Sequence, residues 1–183
     1  MSRRWFDLVL VILWGVLLAG CAGTNIQPYQ GEKPKLDPLV YFDGTVEAWG
    51  IFEGRSGEVQ RQFTATFVGE RDGDRMRLEE TIQYRDGDVK SRVWNIEKLE
   101  EGRYRFESED VIGESPIAKQ AGNVLHMSYV LQVEAEDSQW NLHFDDTMFL
   151  QDEKTLLTRT TVSKWGFTVG RVFITYRKVG GSS

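Results

Sequence analysis

From Val40 onward, apolar and polar residues alternate with a period of two. That period suits a half-buried strand and places no continuous stripe on a helix of 3.6 residues per turn. Arg75 to Tyr84 shows it clearly: Met76, Leu78, Glu80, Ile82 and Tyr84 share one face, and Arg75, Arg77, Glu79, Thr81 and Gln83 share the other. The same pattern recurs in Arg103 to Asp110, Asn123 to Glu134 and Gln139 to Leu150. Further strands are expected at Thr45 to Phe52, Val59 to Val68, Val89 to Lys98, Leu156 to Lys164 and Arg171 to Val179. The links are short and carry Asp72-Gly73, Asp86-Gly87 and Glu101-Gly102, pairs suited to the positive φ angles of hairpin turns.

Short links join antiparallel neighbours, whereas parallel ones need crossover helices that this sequence lacks. The fold class is therefore all-β: an antiparallel up-and-down meander of about 8–10 strands, drawn here as nine. Closing it into a barrel removes exposed edges. An open twisted sheet or a two-sheet sandwich satisfies the same alternation. A barrel of about eight strands either fills its interior with side chains or holds one small ligand, and composition does not choose. Trp49, Trp94, Trp140, Trp165, Tyr104, Tyr129, Phe63, Phe67, Phe106 and Phe144 are the aromatics expected to line such an interior.

Three carboxylates fall in phase with apolar faces: Glu80, Asp110 and Asp146. An inward carboxylate is costly unless paired. Taking Asp86-Gly87-Asp88 as a three-residue turn sets Tyr84 opposite Lys90, Ile82 opposite Arg92, Glu80 opposite Trp94 and Leu78 opposite Ile96, so that Glu80 and Arg92 become diagonal neighbours. Such a pair is either a headgroup site for a ligand or a structural ion pair closing one end. Asp145 and Asp146 are adjacent, so they point to opposite faces and share no proton site without a bulge. His126 and His143 fall on the polar sides of their strands. No nucleophile elbow, phosphate loop or metal-spaced His and Cys cluster is present, so no catalytic residue, metal or cofactor is assigned.

The N-terminus has the layout of an export signal: Arg3 and Arg4, then an apolar stretch from Leu8 to Leu18, then Leu18-Ala19-Gly20-Cys21. The stretch is short of the roughly 20 residues that span a bilayer. The last four residues resemble a bacterial lipobox, which implies cleavage before Cys21 and acylation of its thiol. Ala22 in place of Asp implies the outer membrane, facing the periplasm. The expected organisation is a signal peptide at 1–20, a flexible tether at 21–39, rich in Gly, Pro, Asn, Gln and Lys, and a β-barrel domain at 40–180. Cys21 is the only cysteine, so no internal disulfide accompanies its acylation. Removing Arg3, Arg4 and Asp7 with the signal takes the net charge from −6 to −7, which argues against nucleic acid or anionic lipid headgroups as polyanionic partners.

Taken in order, Gly44, Trp49-Gly50, Tyr84-Arg85-Asp86-Gly87, Trp94, Asp110-Val111-Ile112-Gly113, Gly122-Asn123, Asp145-Asp146 and Lys164 to Gly170 resemble the proteobacterial lipoprotein family known as domain of unknown function 3833. The likeness covers nearly all of the chain after Cys21. Thr147 departs from it, standing where an aromatic is expected. The resemblance implies an envelope lipoprotein and assigns no activity. A broader likeness to lipocalin-like (calycin) barrels is architectural, since Ala48-Trp49-Gly50 replaces their Gly-x-Trp signature.

The expected function is binding of a lipid or other amphiphile, with Glu80, Arg92, Trp94, Tyr104, Asp110, Tyr129 and Asp146 as ligand-binding residues. The membrane is the partner, held through the acyl anchor. A structural or assembly protein acting through its outer surface, or through Ile112 to Gly122, is the alternative. A hydrolase-type enzyme using Glu80, Asp110 and Asp146 comes third.

Overall fold

The computed structural model describes residues 24–135 and 138–180. Ten strands follow one another: β1 (Gly44–Gly54), β2 (Val59–Asp72), β3 (Arg75–Tyr84), β4 (Val89–Glu100), β5 (Arg103–Glu107), β6 (Ile117–Ala121), β7 (Val124–Ala135), β8 (Ser138–Leu150), β9 (Thr155–Lys164) and β10 (Phe167–Val179). Each pairs antiparallel with the next, and β10 returns to β1 from Thr45↔Val179 to Gly54↔Gly170, which closes the barrel.

The expected meander omits β6. Ile117-Ala118-Lys119-Gln120-Ala121 is short and poor in β-branched residues, and its pairing comes from β5 and β7 rather than from its own propensity. Part of the segment Ile112 to Gly122 is thus barrel wall, while Ile112, Gly113, Glu114 and Lys119 stay exposed. Before it, residues 108–116 fill the gap above the short β5 and β6, with Gln132 N bonded to the Asp110 carbonyl at 2.9 Å and Ile112 N to the Val130 carbonyl at 2.8 Å. The strand expected to run to Asp110 stops at Glu107.

The β3–β4 register also differs from expectation. The turn is Arg85-Asp86-Gly87, closed by Tyr84 N on the Asp88 carbonyl at 2.9 Å. Moving the turn by one residue shifts every partner by two, so faces are kept while neighbours change. Glu80 stands directly opposite Arg92, Leu78 opposite Trp94, Met76 opposite Ile96 and Ile82 opposite Lys90.

The two ends of the barrel are unlike. At the base, Leu36, Leu39, Tyr41 and Phe42 are buried against Val46, Phe67, Tyr104, Leu156 and Tyr176 in one core. They sit on a strap ending in a single helical turn, α1 (Pro38–Tyr41), begun by the Asp37 side chain accepting from Leu39 N at 2.9 Å with Pro38 in the first turn. Leu36 N bonds to the Gly122 carbonyl at 2.9 Å, and the Tyr41 hydroxyl donates to the Lys154 carbonyl at 2.9 Å. From Ile26 on, therefore, the segment expected to be a free tether is docked. Its apolar residues follow the curved wall and need no period, so their spacing carried no signal. Cys21 and the signal segment lie outside the described residues.

At the other end, the mouth, inward positions such as Phe63, Ile82, Tyr84, Val133, Leu142 and Ile174 are only half-buried. Three of the aromatics expected inside are not: Trp49 faces out from β1, and Trp140 and Trp165 stand at the mouth, with exposures of 47%, 39% and 86%. Rim positions keep the inward phase yet have no barrel above them to cover them.

Gly69 lets the strap seat. A Cβ built there would overlap the Phe42 carbonyl oxygen. Gly69→Ala is expected to lower stability by about 2 kcal/mol, as overpacking does. Urea unfolding followed by fluorescence reads this, and an unchanged midpoint would show that the strap is free to move aside.

Candidate functional site

The in-phase polar residues meet midway up the lumen. Arg92, on β4, donates through Nε to Asp110 Oδ2 at 2.6 Å and through Nη1 to Glu80 Oε2 at 3.5 Å. Trp94 Nε1 donates to the same Glu80 oxygen at 3.0 Å, and the Ser108 hydroxyl donates to Asp110 Oδ1 at 2.6 Å. The side chains of Glu80, Arg92 and Asp110 are 12%, 21% and 33% exposed, so this is a largely desolvated triad, held by hydrogen bonds as well as charge. Burial works against ionisation of Asp110, but Ser108 and Arg92 together hold its carboxyl below the usual range. Burial likewise opposes the charge on Arg92, and Glu80 and Asp110 more than restore it.

Beside the triad lies an aromatic floor. Trp94 meets Tyr129 edge-on at 5.7 Å, and Tyr129 stacks on Phe144 at 5.6 Å. The Tyr129 hydroxyl donates to Asp146 Oδ2 at 2.7 Å. Asp146 is 5% exposed, and its other oxygen, Oδ1, has no hydrogen-bond partner; neither does the hydroxyl of buried Thr158 on β9. Burial pushes the Asp146 carboxyl up to about 6, against the pull of the Thr160 and Tyr129 hydroxyls. Burial and Asp146 together push the Tyr129 hydroxyl well above its ordinary value, which keeps it a donor.

Of the residues expected to bind ligand, the structure brings together Glu80, Arg92, Trp94, Asp110, Tyr129 and Asp146. Tyr104 is not among them. It is 2% exposed at the base, where burial and the strap's Asp37 raise its hydroxyl pKa. The β5 alternation placed it inward correctly but could not say at what height. Asp110 reaches Arg92 from the loop after β5, so its apparent strand phase was coincidental. Thr158, Thr160 and Ser108 were not singled out. Both threonines lie in phase with Leu156 and Val162, which is the signal that could have found them.

His126 and His143 lie on the outer face. His143 sits 2.8 Å from the exposed Ser128 hydroxyl, and His126 lies 3.7 Å from Asp145. Among the described residues, no group of three or more His, Cys, Asp or Glu is placed to hold a metal. A surface recess of about 1000 Å³ is bordered by outward Trp49, Ile51, Phe149, Leu157, Phe173 and Thr175 together with inward-phase Phe63, Tyr84, Thr158 and Ile174, and by none of the triad.

A closed antiparallel meander of this kind defines a lipocalin-like barrel. The chain belongs to the family described as protein of unknown function (DUF3833), whose model matches residues 15–178. Among solved structures it is similar to an S-type phycobiliprotein lyase, CPES, from Guillardia theta, at 9% identity and TM-score 0.59, covering 87% of this chain and 100% of that one. It is also similar to a protein of unknown function from the DUF3598 family of Nostoc punctiforme PCC 73102, at 13% identity and TM-score 0.56, covering 86% of this chain but only 53% of that one. At these identities the likeness is one of fold. Comparison with the curated proteins gives no match.

Two outcomes follow from the geometry. Arg92→Ala leaves two buried carboxylates without their cation and should cost about 3 kcal/mol in urea unfolding. The second concerns Asp146, whose folded pKa of about 6 lies above the unfolded value near 3.8. Its ionisation therefore opposes folding above the folded value, and the penalty fades as pH falls through 6 toward 4. Wild type should gain on the order of 1 kcal/mol between pH 7.5 and pH 5 from this group, and Asp146→Asn should lose that gain. A melting series at the two pH values decides, and an identical pH response in both proteins would exclude Asp146 as its source.

Proposed function

We propose that this chain is an envelope lipoprotein, cut before Cys21, acylated there and held on the outer membrane facing the periplasm, and that its barrel binds a lipid or other amphiphile. The observation that carries the binding reading is Asp146 Oδ1, a buried, inward-facing carboxylate oxygen without a hydrogen-bond partner, with the inward Thr158 hydroxyl, opposite Met148 on the neighbouring strand, also left unpartnered. Buried polar atoms are nearly always satisfied, and a ligand's polar end satisfies these. Arg92, Glu80 and Tyr129 face the same interior, and half-buried Ile82, Val133, Phe144 and Ile174 face it nearer the mouth. The anchoring reading is supported by the complete Leu18-Ala19-Gly20-Cys21 motif after a charged start and an apolar run. Several acyl chains make such anchoring durable where one does not. The lyase likeness supplies the fold and no reaction.

A second reading draws on the outer recess, where Trp49, Leu157 and Phe173 are exposed large hydrophobics. Such a face suits a structural or assembly protein, and a photo-crosslinker at Trp49 would then capture a protein neighbour in cells.

Native mass spectrometry of the protein purified from its host membrane tests the leading reading. The expected result is an acyl mass on Cys21 and a retained amphiphile, with Asp146→Asn weakening retention roughly tenfold, the worth of one hydrogen bond to a charged group. A wild-type barrel that is consistently empty would sink the binding reading.

A further inference from the structure

The mouth carries a feature that lumen chemistry does not use. The β9–β10 turn is the two-residue pair Trp165-Gly166, and Trp165 adopts φ 51°. Such turns favour Asn-Gly, and a bulky residue rarely takes this conformation. Packing does not explain the choice, since Trp165 is 86% exposed and Phe167, one residue beyond the turn, is 70% exposed. Trp140 stands beside them on β8, with Lys164 Nζ 2.9 Å from its ring centroid and 4.5 Å from that of Trp165. Scattered exposed aromatics are ordinary. Two tryptophans, a phenylalanine and a lysine on one rim form the composition that settles at a bilayer's headgroup level.

The path of the N-terminal strap points the same way. Ile26 packs with Val124, near Tyr29 and Phe149, at the base end of β7 and β8. Two residues earlier the Thr24 hydroxyl reaches Asp145 Oδ1 at 3.4 Å. Asp145 lies four residues closer to the mouth than Phe149, about 13 Å along the strand. The strap thus climbs the outer wall from base toward mouth. Cys21 is three residues further, within about 10 Å of Thr24 whatever path the chain takes. So short a link keeps the barrel close to the bilayer that holds the anchor.

We infer that the mouth rim, Trp140, Lys164, Trp165 and Phe167, docks into the headgroup layer of the bilayer that holds the acylated Cys21, so that the lumen opens onto lipid. The inference rests on the anchoring reading above and not on ligand binding.

The test uses the full acylated chain, in which the Cys21 thiol is blocked and an introduced cysteine is the only free one. Phe167→Cys at the rim and Glu153→Cys at the exposed base are each labelled with an environment-sensitive fluorophore. Both are reconstituted into vesicles of phosphatidylethanolamine and phosphatidylglycerol carrying a headgroup-proximal nitroxide lipid. Quenching several-fold stronger at 167 than at 153 is expected, with Trp165→Cys repeating the rim result should one variant misfold. Equal quenching at both positions, or stronger quenching at 153, overturns the docking. An unmodified Cys21 by mass overturns the anchoring and the docking with it. An empty barrel that still shows the rim pattern supports the docking and removes only the ligand reading.

Discussion

Closure of β10 onto β1 is the constraint from which the other features follow. Once the ladder is a ring, every inward side chain belongs to one shared interior, and no edge remains for a polar residue to escape along. Small inward residues at Val46, Ala48 and Ala65 leave room for Phe67 and Tyr176 at the base, where the strap completes the core. Toward the mouth the same inward rows continue without a lid, and side chains of the same chemistry become half-exposed.

Within that ring the Arg92 triad has an unusual standing. A buried ion pair seldom adds net stability over well-packed apolar residues, yet breaking one is expensive. Here one guanidinium serves two carboxylates, one from the neighbouring strand β3 and one from the loop that fills the gap above β5 and β6. The triad therefore links that loop to the barrel wall at the level where the core gives way to the half-open lumen. Asp146, on β8, has no cation beside it and is met by the hydroxyls of Tyr129 and Thr160. Burial, with no cation to offset it, holds the Asp146 carboxyl above its ordinary pKa, while Ser108 and Arg92 outweigh burial at Asp110 and hold that one below.

Strand pairing and inward phase were readable wherever alternation was clear. Met76, Leu78, Glu80 and Ile82 face in as their spacing predicts, and so do Trp94, Tyr129 and Asp146. The β3–β4 partners were not readable, because Arg85-Asp86-Gly87 and Asp86-Gly87-Asp88 are equally good turns by composition. Nor was β6, whose pairing is imposed by its neighbours. Trp49, Trp140 and Trp165 show a further limit: hydrophobicity names a residue's preference, while its height on the barrel decides whether anything is there to bury it.

By itself the amino-acid sequence determined the all-β class, the meander, the faces of the long strands and the presence of carboxylates in an apolar phase, because each follows from a period of two and from local turn chemistry. Only the tertiary structure decided that Glu80 stands opposite Arg92, that Asp110 arrives from a loop, that the strap seals one end and that Asp146 keeps an unpartnered oxygen. These depend on distances between residues far apart in the chain, and such distances are set by ring closure, strand register and the fit of the strap, none of which a local pattern encodes.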